Sequence, residues 1–485
     1  MNYLDLSIAD IHAALVAKKV TPLELTKEAL KRAHESKDNA FEMILDDEAI
    51  AFASSLGEPE EDNLLWGIPY LAKDNFSTKG LPTTASSNVL NGYKPLFDAH
   101  VIDVLKQKKA VLIGKTTLDE LAMGGTGTTG HLGITYNPYD PKHERMMGGS
   151  SCGSAAAVAA GIVPFALGSD TGDSVRKPAS YGGVIGVKPT WGRISRYGLF
   201  PFAPSLDHVG FFTRYVSDAA LLCDVLSGRD EMDSTSSEKP VPHCLEKLSE
   251  EKKPTFAVLS DIVDSIHDET ILSSFRALCQ KLEEQGCKVT YVPFGKEALE
   301  SIYATYIVIS CAEATSNDAN LDGIKFGPYY EGKTYQEVMF NARTKGFSEL
   351  IKRRFVIGSF CLMAENQDVL FLRAQRNRAK IVAKTNEILK DVDFILVPAA
   401  PSIAPKLGQS SDKLSDEYLI ADNHLALGNF AGLPSVTLPL GYEEGMPFGV
   451  NLMGRAFEEE ELFQACRLVS DSTGLEGSYY GKEDK

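Results

Sequence analysis

The sequence predicts an α/β protein in which short buried strands feed helices across a mixed or parallel sheet. Three observations carry this expectation. Between Trp66 and Arg214, short apolar runs such as Ala110–Ile113 and Val163–Leu167 stand in a region sparse in charge, the pattern of strands covered on both faces. These runs alternate with glycine-rich loops and with small-residue stretches such as Ala155–Ala160, which read as helices. The texture resumes after residue 254, where Phe256–Leu259 reads as a strand, Thr270–Glu284 as a helix and Lys288–Val292 as a strand. Phe394–Val397 and Ser435–Leu438 are later strand candidates.

Two helices open the chain. Ser7 and Asp10 have the spacing of a capping box, and Thr21-Pro22-Leu23-Glu24 supplies an N-cap, a proline at the first helical position and an acid at the third. Four segments follow from the pattern. Residues 1–65 form a helical segment packed on the core, 66–214 the core itself, 215–475 the remainder of the same α/β domain, and 476–485 a polar, frayed tail. The polar stretch 227–254 reads as a surface excursion. No internal repeat is visible.

A chain of 485 residues can bury a catalytic group deeply. Its 44% apolar and 24% charged residues are ordinary for a water-soluble globular protein. The net charge of −17, from 49 basic and 66 acidic side chains, would repel a phosphate backbone. Unaided nucleic-acid binding is thereby disfavoured, although a nucleic-acid-linked substrate held by a partner is not. The eight cysteines are scattered without a C-x-x-C, which suits reduced thiols rather than a disulfide framework or a zinc site. No basic-then-apolar signal opens the chain, and no apolar run approaches the ~20 residues a membrane span needs. The cytoplasm is the expected location.

The densest chemistry lies in Gly148-Gly149-Ser150-Ser151-Cys152-Gly153-Ser154 and in Gly168-Ser169-Asp170-Thr171-Gly172-Asp173-Ser174. A phosphate loop would close on Lys-Ser/Thr, and no lysine follows Gly153; a dinucleotide fingerprint needs another glycine spacing. A flexible linker would be polar on both sides, whereas these loops have apolar flanks. A serine nucleophile needs a base, an oxyanion hole and a sharp turn. Backbone N–H groups from Thr171 to Ser174 could supply the hole. None of the nine histidines lies in a comparable loop, so a lysine kept neutral by burial is the alternative base. Lys73 closes the apolar run Gly67–Ala72, a place that would desolvate an ammonium. Spacing by itself leaves each of these serines as readily structural as catalytic.

Gly67-Ile68-Pro69 with Lys73-Asp74-Asn75, the Gly148–Ser154 loop, and Gly168–Ser174 with Arg176 and Pro178 resemble the amidase signature enzymes. Gly186–Gly198 and Ser205–Gly210 extend the resemblance, which spans nearly the whole chain. It implies a mixed, mostly parallel central sheet with helices on both faces. By position it implies Lys73 as the base, Ser150, preceded by a cis peptide, as the bridging hydroxyl, and Ser174 as the acyl-forming nucleophile. Thr171, Gly172, Asp173 and Ser174 would offer the oxyanion their N–H groups. Within the family the chain is most similar to the A subunits of tRNA-dependent glutamine amidotransferases. That likeness implies a glutaminase with no metal or cofactor of its own, working with B and C subunits in a heterotrimer. The B subunit would bind misacylated tRNA and use ATP and Mg2+. The likeness also implies that Arg354 pairs with the substrate α-carboxylate, that Asp422 holds its α-ammonium and that Tyr306 lines the pocket.

Two departures from the family pattern stand out. Asp173 replaces the usual glycine before the nucleophile, and a carboxylate facing an oxyanion would oppose catalysis, so its side chain is expected to point away or to be paired. Thr126-Gly127-Thr128-Thr129-Gly130-His131 is richer in glycine than the usual polar segment there. Two rival readings remain: a stand-alone amidase of small carboxamides, against which Arg354 and Asp422 speak, and a silent scaffold whose oxyanion hole Asp173 has spoiled.

Overall fold

The structure, a computed structural model, describes residues 2–250, 252–409, 413, 415 and 417–481. Both opening helices begin where their capping residues require. Ser7 Oγ accepts the Asp10 N–H ahead of the helix Ile8–Val16, and Thr21 and Glu24 close a reciprocal capping box on Pro22–Glu35.

Among the described residues, eleven strands form one sheet. In chain order they are β1 (Phe41–Ile44), β2 (Pro69–Lys73), β3 (Val111–Thr116), β4 (Phe165–Asp170), β5 (Ile185–Lys188) and β6 (His208–Thr213). β7 (Thr255–Leu259), β8 (Lys288–Val292), β9 (Phe394–Pro398), β10 (Ser435–Glu443) and β11 (Met446–Met453) complete the set. Their spatial order is β1-β3-β2-β4-β6-β5-β10-β11-β9-β7-β8. Alternate residues of β7 and β9 divide between two apolar clusters. Phe256, Val258, Phe394 and Leu396 join one, while Ala257, Leu259, Ile395 and Val397 join the other, so this part of the sheet is covered on both faces.

The sheet is mixed, as expected, but it is not mostly parallel. The pairs β2–β3, β2–β4, β7–β8 and β7–β9 are parallel, whereas β1 pairs antiparallel with β3 and every pair from β4 across to β9 is antiparallel. Local connections explain part of the difference. β10 and β11 are joined through Glu444 and Gly445, both at positive φ, a two-residue hairpin that can only make an antiparallel pair.

The parallel flank sets up the site. β2 and β4 run side by side with Ala72 opposite Leu167, so Lys73 and the Ser169–Asp170 end of β4 open at the same sheet edge. The fully buried helix Cys152–Ala159, built from small residues, starts directly after Ser150 and Ser151.

Two peripheral segments are better anchored than their composition suggests. In 227–254, Asp230 accepts the Ser195 hydroxyl at 2.5 Å, Asp233 accepts the Arg196 N–H at 2.8 Å and Thr235 meets the Arg196 guanidinium at 2.6 Å. This excursion therefore clamps the 192–198 loop. In the tail, Glu476 accepts the Val216 N–H at 2.7 Å and the Tyr480 N–H reaches Ala159 O at 2.8 Å, so residues 476–481 are tied down rather than frayed. Residues 482–485 of the expected tail lie outside the described residues.

Candidate active site

Lys73 has no solvent exposure, and among the described residues no carboxylate lies within ion-pair distance of its Nζ. The amine instead meets three hydroxyls: Ser150 Oγ at 2.8 Å, Ser151 Oγ at 2.9 Å and Ser169 Oγ at 2.9 Å. Burial pulls the ammonium down to about 7, against the opposite pull of the more distant Asp119, Asp170 and Asp207. A proton inventory then distinguishes the hydroxyls. Ser151 Oγ donates to Ser169 O at 3.1 Å, so it can only accept from the lysine; Ser169 Oγ already accepts from Asn75 Nδ2 at 2.9 Å. Among the described residues Ser150 Oγ has no other side-chain partner, so its O–H, like that of Ser169, is free to donate to the lone pair of a neutral amine.

The peptide between Gly149 and Ser150 is cis. Asp119 packs against it so closely that a Cβ on Gly149 would come within 2.0 Å of Asp119 Oδ2. The Asp119 carboxylate accepts the N–H groups of Thr126, Gly127, Thr128 and Thr129 at 2.9–3.1 Å, and the Thr129 hydroxyl at 2.7 Å. The glycine-rich 126–131 segment is thus wrapped around one buried acid that supports the Ser150 turn.

Ser174 lies in the turn between β4 and the helix Arg176–Gly182, and its carbonyl accepts the Ser151 N–H at 3.1 Å. Its Oγ makes no hydrogen bond to Ser150 Oγ, so only the first link of a Lys73–Ser150–Ser174 chain is closed in this conformation. Such links tighten when substrate fills a site. Among the described residues, the N–H groups of Thr171, Gly172, Asp173 and Ser174 donate to no protein acceptor, the condition for binding an oxyanion.

A buried ion pair holds that turn open. Asp170 takes a two-pronged contact from Arg176, at 2.9 and 3.1 Å, and the same guanidinium donates to Gly172 O at 2.8 Å and Asn429 Oδ1 at 2.6 Å. Burial alone would raise the Asp170 carboxyl, yet Arg176 holds it well below the usual carboxylate range.

The neighbouring wall comes from two helices. Tyr306, on Lys296–Asn317, stands over Gly172: a Cβ there would meet its ring at 3.0 Å. Its ring meets Phe202 edge-on at 6.5 Å, and the guanidinium of Arg354, on Glu349–Leu362, lies 5.6 Å from the Phe202 ring centre. Arg354 Nε and Nη1 are buried without a hydrogen-bond partner. A cation so placed is costly unless an anion completes it.

Asp173 does not face the oxyanion turn unpaired. Its Oδ2 is 2.7 Å from Lys177 Nζ, which also lies 3.1 Å from Asp422 Oδ1 and 2.7 Å from Asp422 O.

This arrangement can be set against known proteins. The profile of the family described as Amidase matches residues 24–463. The chain belongs to the Amidase family. The A subunit of the glutamyl-tRNA(Gln) amidotransferase of Pediococcus pentosaceus is 37% identical over 492 residues, covering all of both chains. Its counterpart in Streptococcus sanguinis is 38% identical, covering 98% of this chain and 97% of the relative. The crystal structure of the Thermotoga maritima counterpart superposes with a TM-score of 0.79 at 35% identity, covering 100% of this chain and 99% of that one.

Within the amidase frame, the structure brings Lys73 and Ser150 into contact, sets Ser174 beside them through Ser151, and places Tyr306 against the turn. Arg354 meets the same wall through Phe202, and Asp422 joins through Lys177. Ser151, Ser169, Asp119 and Lys177 were missed by sequence reasoning. The first two were hidden among the serines of two loops. For Lys177 a signal existed, since it stands four residues after Asp173, the spacing of an ion pair on a helical turn.

Proposed function

We propose that this amidase is the glutamine-hydrolysing subunit of a tRNA-dependent amidotransferase, with Lys73, Ser150 and Ser174 as its catalytic residues. The observation that carries the choice of substrate is Arg354, a guanidinium with unpartnered buried nitrogens on the wall beside the oxyanion turn. A simple amide has nothing to offer it, whereas the α-carboxylate of glutamine does.

In this reading neutral Lys73 takes the proton of Ser150, Ser150 takes that of Ser174, and Ser174 Oγ attacks the side-chain carboxamide carbon. The N–H groups of residues 171–174 receive the developing oxyanion. The relay then runs in reverse, giving a proton to the departing nitrogen. Ammonia leaves, an acyl ester remains on Ser174, and water activated by the same relay releases glutamate. Tyr306 lines the pocket, and Asp422 holds the α-ammonium. The stand-alone amidase reading is less well supported, because the relatives that match end to end at 37–38% identity are amidotransferase subunits. The silent-scaffold reading loses its premise, because Lys177 engages Asp173.

The full-length likeness to A subunits supports assembly with B and C subunits, with ATP, Mg2+ and misacylated Glu-tRNA(Gln) or Asp-tRNA(Asn) handled by the partner. The net charge of −17 fits a protein that need not grip tRNA itself. Among the described residues no helix is long and apolar enough to cross a membrane, and the cytoplasm, where tRNA is charged, is the proposed location. The test measures ammonia release from glutamine and from simple aliphatic amides, by the chain alone and with B and C subunits plus charged tRNA. Partner-stimulated hydrolysis of glutamine is expected. Turnover of simple amides alone would overturn the assignment.

A further inference from the structure

The site contains a second buried lysine whose surroundings the relay does not use. Lys177, on the first turn of the helix Arg176–Gly182, has three oxygens around its ammonium: Asp173 Oδ2, Asp422 Oδ1 and Asp422 O. Asp422 is the acid assigned to the substrate α-ammonium, yet it already faces a cation inside the protein. A one-to-one Lys177–Asp422 pair would leave that end of the pocket neutral and with little to offer a second ammonium.

Asp173 changes the count. Two carboxylates on one ammonium leave a net charge of −1, the same as a lone Asp422 would provide. Of the other charges nearby, Arg176 is closed against Asp170, while Arg354 has no ion-pair partner among the described residues and its Nε and Nη1 lack hydrogen bonds. Among the described residues, Asp173 Oδ1 and Asp422 Oδ2 have neither a hydrogen-bond nor an ion-pair partner, and both side chains keep partial exposure, 22% and 28%. One net negative group and one guanidinium with two unpartnered nitrogens are the complement of a zwitterion.

We propose that Asp173 and Lys177 are a specificity-determining pair: Lys177 gathers the two carboxylates, and Asp173 is the counter-charge that leaves Asp422 able to bind a substrate α-ammonium. The acid before Ser174 thereby acquires a positive role, and its presence requires a cation four residues on. This inference rests on the glutamine reading above, and the experiment separates the two.

Wild type, Asp173→Gly, Asp173→Asn, Lys177→Gln and the double variant Asp173→Gly/Lys177→Gln are assayed as the assembled enzyme, with two substrates. One is glutamine. The other is glutaric acid monoamide, which has the same carboxamide and carboxylate but no amine. Asp173→Gly and Asp173→Asn are expected to raise KM for glutamine by about tenfold or more, the scale of one lost charge contact, while kcat/KM for the monoamide moves far less. The double variant, which again leaves Asp422 as the one net acid, is expected to recover most of the glutamine KM. The asparagine variant keeps the experiment readable if glycine at 173 destabilises the turn. Equal losses with both substrates, or a double variant no better than Asp173→Gly, would overturn the proposal. A wild-type enzyme that does not prefer glutamine to the monoamide would overturn the glutamine reading itself.

Discussion

Lys73 and Lys177 are both shut away from water within one site, and their neighbours drive them to opposite charge states. Around Lys73 there are three hydroxyls and, among the described residues, no carboxylate in ion-pair reach, so burial dominates and the ammonium is pulled down to about 7. Around Lys177 burial pulls the same way, but Asp173 and Asp422 outweigh it and raise the ammonium well above its ordinary value. One lysine thereby fits the proposed role of base, and the other is a fixed charge. Lys188 shows that burial without a carboxylate is not sufficient for the first role. It too is pushed well below the ordinary lysine range, but its Nζ meets the carbonyl oxygens of Pro189 and Leu433, which have no proton to give. A buried lysine without a carboxylate partner still needs a hydroxyl within reach to serve as a base.

The largest expected effect comes from giving both lysines the same substitution. Lys73→Met should lower kcat/KM for glutamine by about 10²–10⁴-fold, the range of a lost general base, with the melting temperature preserved. Lys177→Met should act mainly on KM and on stability; a kcat loss as deep as that of Lys73→Met would erase the distinction drawn here.

Next in size is the ion pair that shapes the oxyanion turn. Asp170→Asn leaves Arg176 buried without its counter-charge and should cost about 3–5 kcal/mol in denaturant unfolding. The sign of its pH dependence follows from the depressed carboxyl. Stability is fully present above the unfolded value of 3.8 and is lost as pH falls toward the lower folded value. If the wild type and the Asp170→Asn variant lost stability in parallel below about pH 4, the pair would not be the source of that dependence.

The pH–rate profile sharpens the comparison further. Because the neutral amine is the active form, kcat/KM should fall about tenfold per unit below an apparent pKa near 7 and level off above it. A flat profile from about pH 5 to 9 would remove Lys73 from the base role.

Smallest is Ser169→Ala. It takes one hydrogen-bond acceptor from the Lys73 amine, which favours the neutral form, so the acid limb should move to lower pH with only a few-fold change in kcat. An upward shift would mean that Ser169 supports the neutral amine instead.

Local pattern carried the elements whose signals are local. The N-cap at Ser7, the capping box at Thr21, the helix Glu269–Glu284 and the strands β7, β8 and β9 fall within a residue or two of their sequence expectations. β5, β6 and β11 went unread because their glycine-containing, charge-poor runs have no alternation to reveal a strand, buried as they are throughout. Without those strands the antiparallel centre of the sheet was invisible. The tail was misread for a related reason: polar composition says nothing of Arg214 and Ala159 carbonyls waiting for the N–H groups of Gly477 and Tyr480.

By itself the sequence carried the family resemblance and the layered α/β class, because these rest on residue type at short, specific spacings, and only through that resemblance did it point to Lys73, Ser150, Ser174 and Arg354. Only the tertiary structure decided which lysine is neutral and which is charged. Charge state depends on what lies within a few ångströms of a buried amine: at Lys73 those neighbours arrive from 77 to 96 residues away, and at Lys177 the nearby Asp173 is joined by Asp422 from 245 residues away.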